Sequence, residues 1–377
     1  MSDVARIIGA YEHPYTRHPA AGVRTVDLLA TAIRSATLDA GVDLADVDGL
    51  GVASFTLGPD HAVDLARSCG LRLRWIMEDT NGGASGVNLL QHAIRAVDAG
   101  DAETIVLVAG DIMTGDAHRR LVDSYNAATR DLITPLGVAG PNSAFAMLTL
   151  RHMRETGLQA DDYGHIAVAQ RRWAGLNPGA VYRTPMTLED YRTAPVVSEP
   201  LRRFDCVPPV AGADVLVVTS RPHDGPSVRV RAIAGTINTD LHEGDGLHTG
   251  LAAIASRVWD HASVSPEDVD VISVYDDYPV MVAIQLADCG LLGDDVPAEV
   301  ARIDSGRRAV NTSGGQLSSG QAGAAGGMHG LVETVTQLHG RAGDRQVADA
   351  RIAMSTGYGM VTYRYGSCAN MAVLERV

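Results

Sequence analysis

The sequence predicts an α/β protein made of two similar halves, each a mostly parallel sheet covered by helices. Three observations carry this. Short apolar runs of strand length alternate along the chain with segments whose apolar residues recur at helical spacing, a pattern that favours buried parallel sheets. The tripeptide Asp46-Val47-Asp48 returns as Asp268-Val269-Asp270, an offset of 222 residues, each time after a helix-periodic stretch and before an apolar run. Finally, Gly82-Gly83-Ala84-Ser85-Gly86 opens one amphipathic helix and the segment from Ala324 opens another, and both helices lead into an apolar strand. Two echoes in the same order imply an internal duplication, with a period far too long for a solenoid.

In chain order, residues 4–9 read as a short buried strand, residues 27–40 as a helix, and residues 40–52 as a turn and a strand. Val87, Leu89, Leu90, Ala93, Ile94 and Val97 form the apolar face of the helix after Gly86, and residues 104–109 form the next strand. Residues 113–204 differ in character: rich in arginine, dotted with Tyr and Trp, and interrupted by prolines, with a helix over 142–156. So long a segment is an insertion that carries binding or oligomer contacts. Its arginines and aromatics suit an anionic ligand with an adenine ring, or else are solvated residues on helix faces. The second half follows, with a turn and a strand over 262–274 and a strand over 350–354. The domain expectation is 1–225, including the insertion, and 226–377.

Residues 311–340, NTSGGQLSSGQAGAAGGMHGLVETVTQLHG, are the chain's most informative stretch. Gly or Ala stands at ten positions between Gly314 and Gly330, so the run has almost no side chain with which to fill a core. Such a segment lets backbone approach a ligand, or lets two helices touch. Leu331, Val332, Val335 and Leu338 then fall at helical spacing. A polar turn ending at a helix start presents unpaired N–H groups to an anion or polarised carbonyl. A plain linker would not place Asn, Gln and Ser at fixed points before a helix.

Composition narrows the function. A formal charge of −14 argues against a nucleic-acid partner. No apolar run reaches the roughly 18 residues a bilayer span needs, and no basic-apolar-small leader opens the chain, so a cytoplasmic, non-membrane protein is expected. The four cysteines, Cys69, Cys206, Cys289 and Cys368, are far apart without CxxC spacing, which speaks against a zinc site or a disulfide framework.

Asn311-Thr312-Ser313-Gly314-Gly315 followed by Gly320-Gln321-Ala322-Gly323-Ala324-Ala325-Gly326-Gly327 resembles the C-terminal Asn-x-x-Gly-Gly and Gly-His-Pro-x-Gly-Ala-Ser-Gly motifs of the thiolase superfamily. Phe145-Ala146, Arg151 to Gly157, and Asp205-Cys206-Val207-Pro208-Pro209-Val210-Ala211-Gly212-Ala213 are similar to segments of the sterol-carrier-protein type of thiolase. The resemblance covers nearly the whole chain. It implies a thiolase-like fold, two duplicated βα core halves layered α-β-α-β-α with a long loop insertion. It also implies a homodimer, paired along an edge strand of the N-terminal core, for which residues 104–109 are the candidate.

The catalytic residues of the family are not there. The nucleophilic cysteine position is Gly83, the histidine of Gly-His-Pro is Gln321, and the second cysteine falls on Ser355; the polar motif His-Asp-Cys-Phe is Tyr275-Asp276-Asp277-Tyr278. Covalent acyl transfer needs an activated nucleophile, and Gly83 has no side chain. The glycine turns, with Gly83, Ser85, Asn311, Gly314, Gly315, Gln321 and Gly357, remain as candidate substrate and oxyanion contacts. Tyr358, Tyr275, Asp276, Asp277, Ser355 and His329 are the candidate acid–base groups, Asp276 being equally suited to capping a helix. Proton transfer without acylation is what aldol cleavage of a β-hydroxyacyl-CoA requires. An ordinary tyrosine, with a pKa of about 10, is an acid or hydrogen-bond donor there. Thiolase-like aldolases of sterol side-chain catabolism lack the nucleophile too, and the resemblance implies their requirement for a small zinc-ribbon/OB-fold partner. Two alternatives stand beside the aldolase: a C-acyltransferase of a degradative or polyketide pathway, and a non-catalytic acyl-CoA carrier or scaffold. The coenzyme A thioester enters as substrate; no cofactor and no metal are expected.

With Gly83 and Ser355 at both cysteine positions, turnover is expected to survive iodoacetamide treatment. Loss of activity in alkylated protein that remains folded would show that a cysteine carries the chemistry.

Overall fold

The computed structural model describes residues 4–377 apart from 139, 241, 242, 294, 305, 307, 363 and 364. The first half runs β1 (Arg6–Thr16), α1 (Thr25–Asp39), β2 (Gly49–Ala53), α2 (Ala62–Cys69), β3 (Trp75–Asp79), α3 (Ser85–Ala99) and β4 (Thr104–Ile112). The insertion then contributes α4 (Gly115–Asp123), α5 (Pro141–Thr156), α6 (Ala160–Leu176), α7 (Leu188–Arg192) and a two-stranded ribbon, β5 (Val196–Ser198) with β6 (Leu201–Arg202). β7 (Ala211–Thr219) returns the chain to the first sheet. The second half runs β8 (Val228–Ile237), α8 (Ala255–Ala262), β9 (Val271–Ser273), α9 (Pro279–Asp288), α10 (Val296–Asp304), α11 (Gly315–Ser319), α12 (Gly326–Leu338), β10 (Ile352–Thr362) and β11 (Tyr365–Arg376).

The strand order β3-β2-β4-β7-β1-β8-β11-β10-β9 contains the duplication. In the first half β1, β2, β3 and β4 point one way, and only the return strand β7 opposes them. In the second, β9 and β10 are parallel and β11 is the return strand. Val310 bridges to Ile272 in parallel, where β3 lies beside β2 in the first half. Among the described residues the two sheets are joined through the single pair Ile7–Val228. The echoed aspartates explain their own recurrence. Asp48 accepts hydrogen bonds from the N–H groups of Glu103 and Thr104, and Asp270 from those of Arg351 and Ile352. Each thus pins the first residues of the strand beside it, β4 or β10.

Three apolar cores give the α-β-α-β-α layering. One lies between α1, α2 and the outer face of the first sheet, and one between α8, α9 and the outer face of the second. The third surrounds α3 and α12 between the sheets. Met328, Leu331, Val332, Val335 and Leu338 of α12 are all buried there, each contributing about 1.5–3 kcal/mol. The two central helices begin in equivalent ways, each after a 3-10 turn, Gly82–Ala84 or Gly323–Ala325. Their first turns touch backbone to backbone: a Cβ on Gly86 would overlap the Gly327 carbonyl, and one on Gly327 would lie 2.6 Å from the Gly83 oxygen.

One expectation is corrected. Strand β4, which contains residues 104–109, is not an edge, because it lies between β2 and β7. Its apolar residues are buried on both faces, as a central strand demands. The free edge of the first sheet is β3, with Ile76 exposed.

Gly86→Ala is expected to lower stability by about 3 kcal/mol, the upper range for overpacking, because the new methyl meets backbone. Gly115→Ala, with nothing within 4 Å, should be neutral. Urea unfolding midpoints that coincide for the two variants would refute the helix contact.

Candidate active site

β9 ends at Ser273, and the chain continues through Tyr275-Asp276-Asp277-Tyr278 before Pro279 opens α9. Asn311, held at a φ of 49°, pairs with the backbone here as a neighbouring strand would. Its Oδ1 accepts from the Val274 N–H (2.9 Å) and its Nδ2 donates to the Val274 carbonyl (3.1 Å). The Tyr275 N–H donates to Thr356 Oγ1, and Gln285 Nε2 donates to the Tyr275 carbonyl (2.5 Å). The Tyr275 backbone is therefore fixed on several sides.

Its ring lies over Gly83. A Cβ at Gly83 would overlap both the Tyr275 ring and the Tyr358 carbonyl oxygen. The phenol oxygen of Tyr275 accepts a hydrogen bond from Gln321 Nε2 at 3.1 Å. The Tyr358 ring stands 6.4 Å from that of Tyr275, and its hydroxyl accepts from the Gly366 N–H. Tyr275, Tyr358, Gly83, Gln321 and Asp277 face one chamber of about 150 Å³. The rest of its wall is mostly apolar and comes largely from the insertion, including Leu121, Val122, Ile133 and Phe145. Tyr278 docks that insertion: its ring stacks on Phe145 at 4.2 Å and its hydroxyl donates to Asn142 Oδ1 (2.6 Å).

Electrostatics separate the two adjacent aspartates. Asp277 reaches the chamber wall, and its buried Oδ1 has no hydrogen-bond partner among the described residues. Burial, then the neighbouring Asp276 charge, pushes its pKa up to about 8. Asp276 instead turns to α11, accepting from the N–H groups of Gln316 (2.9 Å) and Leu317 (3.3 Å). Its burial raises it to about 7. Burial first and Asp277 second hold the Tyr275 phenol well above its ordinary value; burial does the same to Tyr358. Both phenols are therefore protonated at neutral pH.

Other sequence-level candidates sit behind the chamber. Gly314 packs on Ala174 and Gly315 on the Asp276 carboxylate, both with positive φ, so they position the segment around Tyr275 without facing the chamber. Gly357 packs on Asn370 and the Ala84 backbone. Ser85 and Ser355 are buried, their hydroxyls unpartnered among the described residues; Ser355 Oγ lies under Gly330 of α12. His329 points into a separate buried network. Its Nε2 meets Ser313 Oγ at 2.7 Å, and its Nδ1 meets Tyr15 Oη at 3.2 Å and Glu12 Oε2 at 3.3 Å. Glu12, Asp214 and His329 are a set of metal-type donors among the described residues, within 4.8 Å of one another. Tyr15 already donates to Asp214 Oδ2 at 2.5 Å. Burial raises Glu12 to about 7 and lowers His329 to about 4.

Sequence reading missed Asp111. Its Oδ2 accepts from the Ala324 N–H at the start of the second glycine turn (2.7 Å). Its Oδ1 accepts from Ser54, Phe55 and Thr56, which fixes the loop carrying Phe55 to the chamber. A lone aspartate ending the apolar strand TIVLVAGDI was the available signal. Tyr125 of the insertion, raised to about 12 by burial, is the other chamber phenol that was missed.

Comparisons with known proteins agree on the family. Residues 238–376 match the family described as thiolase C-terminal domain-like. The chain is 29% identical, over 96% of its length and 98% of the relative's, to the 17-hydroxy-3-oxo-4-pregnene-20-carboxyl-CoA lyase of Mycobacterium tuberculosis. It is 28% identical to the steroid side-chain-cleaving aldolase of Thermomonospora curvata, over 90% of this chain and 92% of that one. A solved structure described as the Ltp2-ChsH2(DUF35) aldolase superposes with a TM-score of 0.85 at 25% identity, covering 99% of this chain and 97% of that one.

The chain is similar to the thiolase superfamily, by family model over its C-terminal part and by relatives and fold over nearly its whole length. Against the thiolase motifs, the place of the nucleophile is Gly83, and the volume its side chain would need holds the Tyr275 ring. Gln321, at the thiolase histidine position, contacts that tyrosine. Among the described residues no helix is long and apolar enough to cross a membrane.

Asp277 sheds its proton near pH 4 in the unfolded chain but keeps it to about pH 8 in the folded one. Its contribution to stability therefore falls as pH rises from about 4 to 8. Asp277→Asn should melt like the parent at pH 4 and at a higher temperature at pH 8. A gap between the two proteins that does not widen with pH would refute the buried carboxyl.

Proposed function

We propose that this protein cleaves a β-hydroxyacyl-CoA by a non-covalent retro-aldol reaction, with the thioester as substrate and without a separate cofactor. The observation that carries the reading is the Tyr275 ring over Gly83: the volume a nucleophile would need is filled by a proton-handling group. Asp277 is the base. It acts from its deprotonated form, a minority at neutral pH that grows as pH rises toward its pKa of about 8. It takes the β-hydroxyl proton, the bond between the α and β carbons breaks, and the electron pair passes into a thioester enolate as a carbonyl product forms. Tyr275, held by Gln321, and Tyr358 donate to the enolate oxygen and return a proton to the α carbon. The Gly83 turn at the start of α3 supplies further N–H groups. The apolar chamber wall suits an apolar acyl group, and the activities named for the relatives support a steroid side-chain thioester.

The C-acyltransferase reading loses support from Gly83 and from the cysteines. Cys69, Cys289 and Cys368 are buried, and burial raises Cys206 to about 12. The carrier reading leaves the unpartnered Asp277 oxygen without a purpose. We further propose a cytoplasmic homodimer paired through β3, a division of the chain near residue 225, and a zinc-ribbon/OB-fold partner. The superposed aldolase is described by two names, Ltp2 and ChsH2(DUF35), and that pairing supports the last.

Turnover of a β-hydroxyacyl-CoA to a shorter acyl-CoA and a carbonyl compound, followed by mass spectrometry, tests the assignment; an acyl adduct on the protein would overturn it. Tyr275→Phe and Tyr358→Phe should each lower kcat by roughly 10²–10⁴-fold with little change in KM. Full rate in either variant would remove that tyrosine from the mechanism.

A further inference from the structure

Behind the chamber, a chain of buried amides links Asp276 to Tyr275. Asp276 Oδ1 accepts from the Gln316 N–H at 2.9 Å and from Gln316 Nε2 at 3.4 Å. Gln316 Oε1 accepts from Gln321 Nε2 at 3.1 Å, and the same Nε2 donates to the Tyr275 hydroxyl at 3.1 Å. Gln316 is 1% exposed, and room for its Oε1 exists only because residue 326 is glycine, where a Cβ would overlap that oxygen.

The direction of this chain follows from the donor and acceptor inventory. An amide nitrogen only donates and an amide oxygen only accepts. The Asp276 carboxyl oxygen, already an acceptor for backbone N–H, draws the nitrogen end of Gln316 toward itself. The oxygen end then faces Gln321 and fixes that residue nitrogen-first. Both protons of Gln321 Nε2 are committed, one to Gln316 and one to the phenol. A reversed Gln316 would set oxygen against carboxylate and nitrogen against nitrogen.

We propose that Gln316 is a positioning residue: through Gln321 it makes the Tyr275 hydroxyl a hydrogen-bond acceptor on its protein side and so commits its own proton to the substrate side. This rests on the aldolase reading above and adds to it the group that orients the acid. A phenol that accepts one hydrogen bond is also a stronger donor of its own. Glutamine at 316, which never faces the substrate, thereby decides which way the catalytic proton points.

Gln316→Met keeps the volume and removes the relay; Gln316→Glu keeps an oxygen toward Gln321 and, when protonated, an O–H toward Asp276. The expectation for Gln316→Met is a fall in kcat of about tenfold, the worth of one lost orienting hydrogen bond, at unchanged KM. Gln316→Glu should recover most of the rate. The double variant Gln316→Met/Gln321→Leu should be no slower than Gln321→Leu alone. A packing role would treat Met at least as well as Glu, so equal rates for the two, additive losses in the double variant, or full rate in Gln316→Met would overturn the proposal. A second readout does not need turnover. The side-chain amide NMR signal of Gln321, identified by its loss in Gln321→Leu, should be slow to exchange in the parent and in Gln316→Glu, and fast in Gln316→Met. Slow exchange in Gln316→Met would overturn the relay even if the parent proves inactive on every β-hydroxyacyl-CoA, a result that bears on the aldolase reading alone.

Discussion

Where the two central helices begin, the Gly327 backbone lies against the carbonyl of Gly83 and the Gly86 backbone against that of Gly327. No side chain fits between them. This contact forces the first turns of α3 and α12, which come from opposite halves of the chain, into one spot. It also dictates what else reaches that spot. Tyr275 arrives from the segment after β9 and Tyr358 from β10, both strands of the second sheet, while Asp111 reaches across from the first sheet to hold the Ala324 N–H. The chamber is thus a seam between duplicated halves, and each half supplies one glycine turn.

Burial does the chemical tuning. The chamber floor buries phenols and a carboxyl together and gives Asp277 no cationic partner among the described residues, so its pKa rises to about 8 while the tyrosines stay protonated. Burial thus shifts both kinds of group in the same direction, and the difference in residue type keeps their values apart. The insertion completes the chamber, because Tyr278 both borders the motif and anchors α5 through Phe145 and Asn142. Tyr278 thus fastens the insertion beside the chamber groups.

Much of this was legible in the sequence, and the reasons differ by residue. Glycine patterns survive translation into structure because a missing Cβ has one meaning wherever backbones touch; hence Gly83, the turn before α12 and the duplication could be read directly. Side-chain direction outside regular elements could not. Asp276 and Asp277 are neighbours, yet one serves the start of α11 and the other faces the chamber, a split set by Gly315 and Gln316 far away in sequence. Ser355 and Tyr358 share β10 but point to opposite faces of the sheet. His329 was drawn away by Glu12 and Tyr15 on β1, over three hundred residues upstream. The misplaced edge arose because an apolar strand looks the same from sequence whether it is central or peripheral, and only the pairing with β7 decides.

The crowding between position 83 and Tyr275 has a historical consequence. A cysteine at 83 and the tyrosine ring at 275 claim the same volume, so no functional intermediate carries both in this geometry. A sequence with a side chain at 83 must give it up before, or together with, gaining this ring, and the way back is barred by the same overlap. Loss of a side chain at 83 meets no obstacle by itself, whereas gain of the ring does, so the two arrangements connect only through a glycine at 83.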